Sequence, residues 1–299
     1  MYAVSVPAAL VLLAGATWLP KSPRWLLLRN RREEAIASLR RLRGGGGEAT
    51  DNEMREMEAA TVTTAQDGNE GDEKNAPASP WSALLEARSL KALGIGLSLI
   101  IFQQITGQPS VLYYATKIFQ DAGFRAAEQA TAVSVGLGVF KLVATFVAVA
   151  LVDSAGRRPL LIAGVSVIFV SLVVLGAAAS AAASPLTAGL SVAALLLYVG
   201  AYQVSFGPIA WLVVGEIFSL EIRNQAVAIC TLANFGGNAL VSQLLPSIQA
   251  ELGQGGAYFL FAFIAAIALA VITAIVPETK GKTLEEIQAL LDSGDGDTT

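Results

Sequence analysis

Apolar runs of close to twenty residues recur along this chain, separated by shorter polar stretches. A helix rises 1.5 Å per residue, so about 20 apolar residues carry it across the hydrocarbon core of a bilayer. Seven segments come near that length: 3–19, 92–119, 130–152, 160–183, 187–214, 226–245 and 257–276. Two are interrupted. The second holds Gln103, Gln104, Gly107, Gln108 and Pro109, and the fifth holds Gly207 and Pro208. Between residues 20 and 91 the pattern changes. From Arg31 to Arg43, Ile36, Leu39 and Leu42 recur at intervals of three, and Gly44 to Gly47 stop the helix this predicts. A second short helix is expected over 51–60, followed by a mobile polar linker over 65–80. Four regions result: 1–19 a single span, 20–91 a helical insert with a linker, 92–276 a bundle of six spans, and 277–299 a tail.

Composition supports a lipid-embedded reading. Apolar residues make up 54% of the 299 positions and charged ones 15%, where soluble domains carry about 25% charge. Seventeen of the twenty Lys and Arg fall in alternate connections, which should therefore be cytoplasmic, with Met1 outside and Thr299 inside. The expected class is all-α: an integral, multi-pass helix bundle. Segment 3–19 has no basic stretch before it and reads as a span, not a cleaved leader. No basic stripe points to nucleic acid. One cysteine, Cys230, and no histidine leave no intrachain disulfide and no thiol-imidazole zinc site. No metal or cofactor is expected.

Candidate chemistry lies in the polar residues inside the spans. Gln103, Gln104 and Gln108 crowd one depth, followed by Tyr113 and Tyr114. Amides in hydrocarbon are costly without partners, so they line a cavity or hydrogen-bond neighbouring helices. Gln104 and Gln108 share a face, and Gly107 with Pro109 would break the helix there. Gln203, the Gly207-Pro208 break and Trp211 repeat the arrangement in the fifth span, and Asn234 and Asn238 share a face of the sixth. Uncharged amides suit a neutral polyol, whose hydroxyls both donate and accept. Lys141 is the one charge well inside a span. It should face a cavity or a carboxylate, as a ligand contact or as half of an ion pair. At the basic side, Asp153, Arg157 and Arg158 follow the third span, and Glu216 and Arg223 bracket the turn after the fifth. These charges either latch an inner gate or anchor the membrane edge.

The stretches Pro20-Lys21-Ser22-Pro23-Arg24, Gln103 to Gly107, Tyr113-Tyr114, Asp153 to Arg158, Gly207-Pro208-Ile209 with Trp211, and Pro277 to Gly281 resemble, in order and spacing, the sugar porters of the major facilitator superfamily. The run from Gln108 to Ala115 looks most like plant and algal vacuolar glucose transporters and D-xylose–proton symporter-like proteins. The resemblance implies that 1–19 is the last helix of an N-terminal bundle, that 92–276 is the C-terminal six-helix bundle, and that the N-terminal six-helix bundle is missing. It implies sugar contacts from Gln103, Gln104, Trp211 and Asn238. Gln203 would stand where relatives often carry glutamate, and Arg24 would join the inner latch. Pro109 and Lys141 stand where the pattern has asparagine, and Lys21 where it has glutamate.

The expected function is transmembrane transport of a glucose- or xylose-class monosaccharide by alternating access, coupled to protons in the full-length protein. The partners would be the sugar, protons, the lipid bilayer and the missing bundle. No enzymatic chemistry is implied. A transport-incompetent sugar-binding or regulatory membrane protein is the alternative. A seven-helix receptor shares the topology, but the long first inner connection argues against it.

Overall fold

A computed structural model describes residues 10–293, apart from 12, 13, 16, 30, 46, 48, 49, 56, 59–79, 122–126 and 220. Among the described residues the structure is helical, with no strand. The chain divides into two compact units, 1–77 and 78–299.

In the first unit, the described residues from 10 to 18 are helical. Leu19 lies past the helix in a bend, and residues 3–9, 12, 13 and 16 of the span expected at 3–19 lie outside the described residues. Helix α1, Pro23–Leu28, starts on a proline, whose fixed φ suits a first helical position. Helix α2, Arg32–Arg43, has Glu33 and Glu34 in its first turn, three arginines in its last, and Gly44 closing it at φ 73°, each the favoured choice for its end. A small core of Leu26, Leu27, Ala35, Leu39 and Met54 joins these helices to the helical residues between 50 and 58. The buried face differs from the expected one. Ala35, Ser38 and Leu39 point inward while Leu42 is exposed, and the Ser38 hydroxyl donates to the Lys21 carbonyl. Arg32 and Arg43 pair with Glu58 and Glu53, each at 2.7 Å. Of the expected linker, 65–79 lies outside the described residues, and Pro80 opens the next helix.

The second unit contains α3 (Pro80–Leu84), α4 (Ala87–Ile105), α5 (Gln108–Asp121), α6 (Ala127–Ala155), α7 (Arg157–Ser180), α8 (Pro185–Val204), α9 (Phe206–Ile217), α10 (Arg223–Ile275) and α11 (Leu284–Ser293). Among the described residues, five stretches are long and apolar enough to cross a membrane. The fifth is α10, whose 53 residues include Gly253 at φ 71° and ψ 173°. At 1.5 Å per residue it would run about 80 Å unbroken, far beyond one bilayer. The non-helical backbone at Gly253 divides α10 into two helical arms, and the other four apolar stretches each overlap one of the spans expected from 92 onward. Two of them are split: α4–α5 at Thr106–Gly107, and α8–α9 at Ser205 (φ −116°, ψ −95°).

Helix α7 is the central post. Leu161, Val165, Ile168, Leu172 and Leu175 recur at alternating intervals of four and three and are buried, one stripe in register with the helical turn. This stripe packs against α10 and α8. Glycines set how closely the helices approach, as small residues do in membrane bundles. A Cβ on Gly164 would collide with Ser205, and one on Gly255 with Ser180. Helix α6 is the opposite case, with Val135, Phe146 and Val149 more than 60% exposed, a surface suited to lipid. Helix α8 starts on a capping box, Ser184 with Thr187, and a proline at its first turn.

Candidate functional site

Gln104 connects two spans. Its Nε2 donates to Asn234 Oδ1 at 2.5 Å, and its Oε1 accepts from Asn238 Nδ2 at 3.1 Å. Asn234 and Asn238, one turn apart on α10, thus hold both ends of one amide. Gly237 permits this, since its missing side chain leaves the Gln104 Cβ only 3.3 Å from where a Cβ would stand. Gln104 is buried, while both asparagines are half-buried. Three polar residues therefore share one face and satisfy each other, with donor and acceptor capacity to spare.

Gln103 points elsewhere. Its Nε2 donates to the Phe206 carbonyl at 2.7 Å, the first residue of α9. Its Oε1 is buried and has no hydrogen-bond partner among the described residues. The Tyr198 hydroxyl, also buried, donates to the Thr106 carbonyl at 3.4 Å, at the break between α4 and α5. Tyr198, Tyr202 and Phe206 form an aromatic ladder with centroids 6.5 and 6.4 Å apart.

Gln108, Lys141 and Gln203 come together with Tyr198, Val199 and Tyr202 around a recess of about 10 Å³, room for roughly one water. Gln203 Nε2 is anchored on Thr145 Oγ1 at 2.9 Å. Trp211 lies half-buried on α9 against the edge of the core. Tyr113 is carried by α5, and its side chain is outside the described residues.

At the basic ends, the Arg157 guanidinium reaches Glu216 at 2.9 Å and Asp153 at 3.4 Å. The second Glu216 oxygen accepts from Thr279 Oγ1 at 2.6 Å. Both Glu216 oxygens are thus engaged away from Arg223, which donates to the Phe218 carbonyl at 2.9 Å. Arg158 donates to the Thr273 carbonyl at 2.7 Å. Arg24 belongs to α1 in the first unit, with its side chain outside the described residues.

Glu278 has no role in the sequence reading, although Pro277 to Gly281 is one of the matching stretches. Its carboxylate accepts from the backbone N–H groups of Arg157 and Arg158, each at 3.0 Å, and of Lys280 at 2.8 Å. It caps the N-terminus of α7, where unpaired amides and the helix dipole favour an anion. Gly156, at φ 90°, makes room, since a Cβ there would stand 2.7 Å from Glu278 Oε2. Its signal in the sequence was a carboxylate just past the last span, with a partner 120 residues away.

A profile of the family described as "Sugar (and other) transporter" matches residues 1–291. The chain belongs to that family. Among its relatives, "D-xylose-proton symporter-like 2" of Arabidopsis thaliana is 48% identical over 97% of this chain and 57% of its own length. "D-xylose-proton symporter-like 3, chloroplastic" of the same plant is 46% identical, over 97% and 52%. A solved structure of the proton:xylose symporter XylE bound to 6-bromo-6-deoxy-D-glucose superposes with a TM-score of 0.75 and 30% identity, covering 95% of this chain and 57% of that one. The chain thus spans little more than half the length of the relatives it matches. Its fold is that of the major facilitator superfamily, and this sugar transporter family member is an integral, multi-pass membrane protein.

Proposed function

We propose that this chain forms the sugar-gripping wall of a monosaccharide transporter working by alternating access. A second six-helix bundle would provide the opposite wall, and transport would be coupled to protons, as the names of its relatives state for them. The observation that carries the reading is the Gln104–Asn234–Asn238 amide cluster, held across two spans beside two broken helices. Broken spans place backbone and polar groups at a midplane site in transporters, and neutral amides match a polyol. Gln103, Gln104, Gln108, Tyr113, Lys141, Gln203, Trp211, Asn234 and Asn238 are proposed to face the sugar, with Trp211 offering a flat ring to its apolar side. Arg24, Asp153, Arg157, Arg158, Glu216 and Arg223 are proposed to act at the inner gate. The recess of about 10 Å³ is far smaller than a sugar, as expected of one wall of a shared cavity.

The test is uptake and equilibrium binding of radiolabelled D-xylose and D-glucose by proteoliposomes carrying the chain. Saturable binding, weakened tenfold or more by Gln104→Ala or Trp211→Ala, is the expected result. Binding of neither sugar would overturn the reading. Binding without uptake would make the chain a sugar-binding membrane protein.

A further inference from the structure

The two broken spans are tied to each other at their breaks. Gln103, on the last turn of α4, bonds the carbonyl of Phe206 just beyond the break between α8 and α9. Tyr198, on α8, reaches the carbonyl of Thr106 at the break between α4 and α5. Each span thus sends a side chain to the backbone at the other's discontinuity. All four residues are buried. Spans alternate in direction, and two further spans, α6 and α7, separate these two. The split spans are therefore antiparallel, and their second halves, α5 and α9, lie toward opposite faces of the membrane.

Each break also rests on a neighbour without slack. Gly107, at φ 91°, lies against the Phe261 ring, where a Cβ would stand 2.7 Å from the ring carbons. Ser205 sits in the space left by Gly164 on α7. A half-helix pivoting at either break therefore turns on a fixed seat, and the crossed bonds restrict how far one can turn alone.

We infer that Tyr198, as a positioning residue, and Gln103, in addition to its proposed sugar contact, form a crossed brace coupling the motions of α5 and α9. When one half-helix swings, the brace transmits the displacement to the other, so the two ends of the bundle move as a pair. The inference deepens the alternating-access reading and rests on it for its role in transport.

Hydrogen–deuterium exchange on the chain in lipid nanodiscs tests the brace without needing transport. Tyr198→Phe keeps the ring and removes one hydroxyl. It is expected to raise exchange threefold or more both at 108–112, beyond the break it touches, and at 206–210, which it does not touch. Gln103→Leu is expected to do the same at both segments. Unchanged exchange along α7 controls for global loosening. If Tyr198→Phe loosens only 108–112, or neither segment, there is no brace, and this variant decides even if Gln103→Leu fails to fold. A second arm adds saturating D-xylose or D-glucose to the unsubstituted chain. Protection by sugar with uncoupled variants would overturn the brace alone. Coupled variants with no response to sugar would leave the brace standing and remove the sugar-transport reading.

Discussion

At the scale of single residues, the amides separate into those satisfied by each other and those reaching backbone. Removing Gln104 strands Asn234 and Asn238 together. Leaving buried polar groups unpaired costs about 1–3 kcal/mol, so Gln104→Ala should lower thermal stability in detergent and also weaken sugar binding. Asn238→Ala breaks only the longer of the two bonds, 3.1 Å, and should cost about 1 kcal/mol. A thermal-shift comparison of the two variants reads the difference. Lys141 lines the recess with Gln108 and Gln203. If it contacts the ligand, Lys141→Ala should change sugar affinity at least threefold, measured by calorimetry, with little effect on stability. The polar residues themselves were visible in the sequence, because an amide inside an apolar run stands out. Their partners were not. Gln103 finds Phe206 across 103 positions, and no local pattern encodes a distance of that kind.

At the scale of elements, hydropathy and length located the spans, and glycine with proline marked the weak points within them. Both splits fall one or two residues before Gln108-Pro109 and Gly207-Pro208, as the loss of a backbone donor and the ring's bulk require. The closeness of the helices was illegible, because a glycine looks the same whether it abuts a neighbour or faces open space. Gly164 and Gly236 make the contrast. A methyl on Gly164 meets Ser205, whereas one on Gly236 meets nothing within 4 Å. Gly164→Ala should therefore destabilise by about 1–3 kcal/mol through overpacking. Gly236→Ala should be neutral or stabilising by about 0.5–1 kcal/mol, since alanine loses less backbone entropy in a helix. Thermal unfolding of both variants measures the gap. The α2 stripe failed for a related reason. Ala35 and Leu42, seven residues apart, share one face of the helix, yet the first is buried and the second exposed, a difference that depends on what lies beside each residue and not on their spacing.

At the scale of the whole molecule, the distribution of basic residues predicts sidedness. In sealed vesicles, single cysteines in a Cys230→Ser background report it through a membrane-impermeant maleimide. Positions 43, 158 and 280 should label from one side and position 184 from the other. Labelling of 43 and 184 from the same side would overturn the assigned topology. The Arg157–Glu216 pair, with Thr279 on the second carboxylate oxygen, joins three separate stretches of the chain at one membrane edge. Glu216→Gln should weaken that junction and change the uptake rate at saturating sugar more than it changes sugar affinity, as expected of a residue that gates and does not bind. This separation is read from rate and binding curves on the same preparation.

The Glu278 clasp has a consequence for anyone mapping this protein by mutation. Its carboxylate is held by main-chain N–H groups, which every amino acid except proline supplies. Substituting the side chains of Arg157 and Arg158, the obvious charged partners, leaves those donors in place, so reversing charges on the α7 side would pass over the contact. Apart from a proline at 157 or 158, the clasp is lost through the carboxylate itself or through Gly156, where any side chain enters the acid's space on a backbone with positive φ. On the α7 side, what admits the acid is thus recorded in an uncharged glycine, and a genetic search guided by charge would look at its neighbours instead.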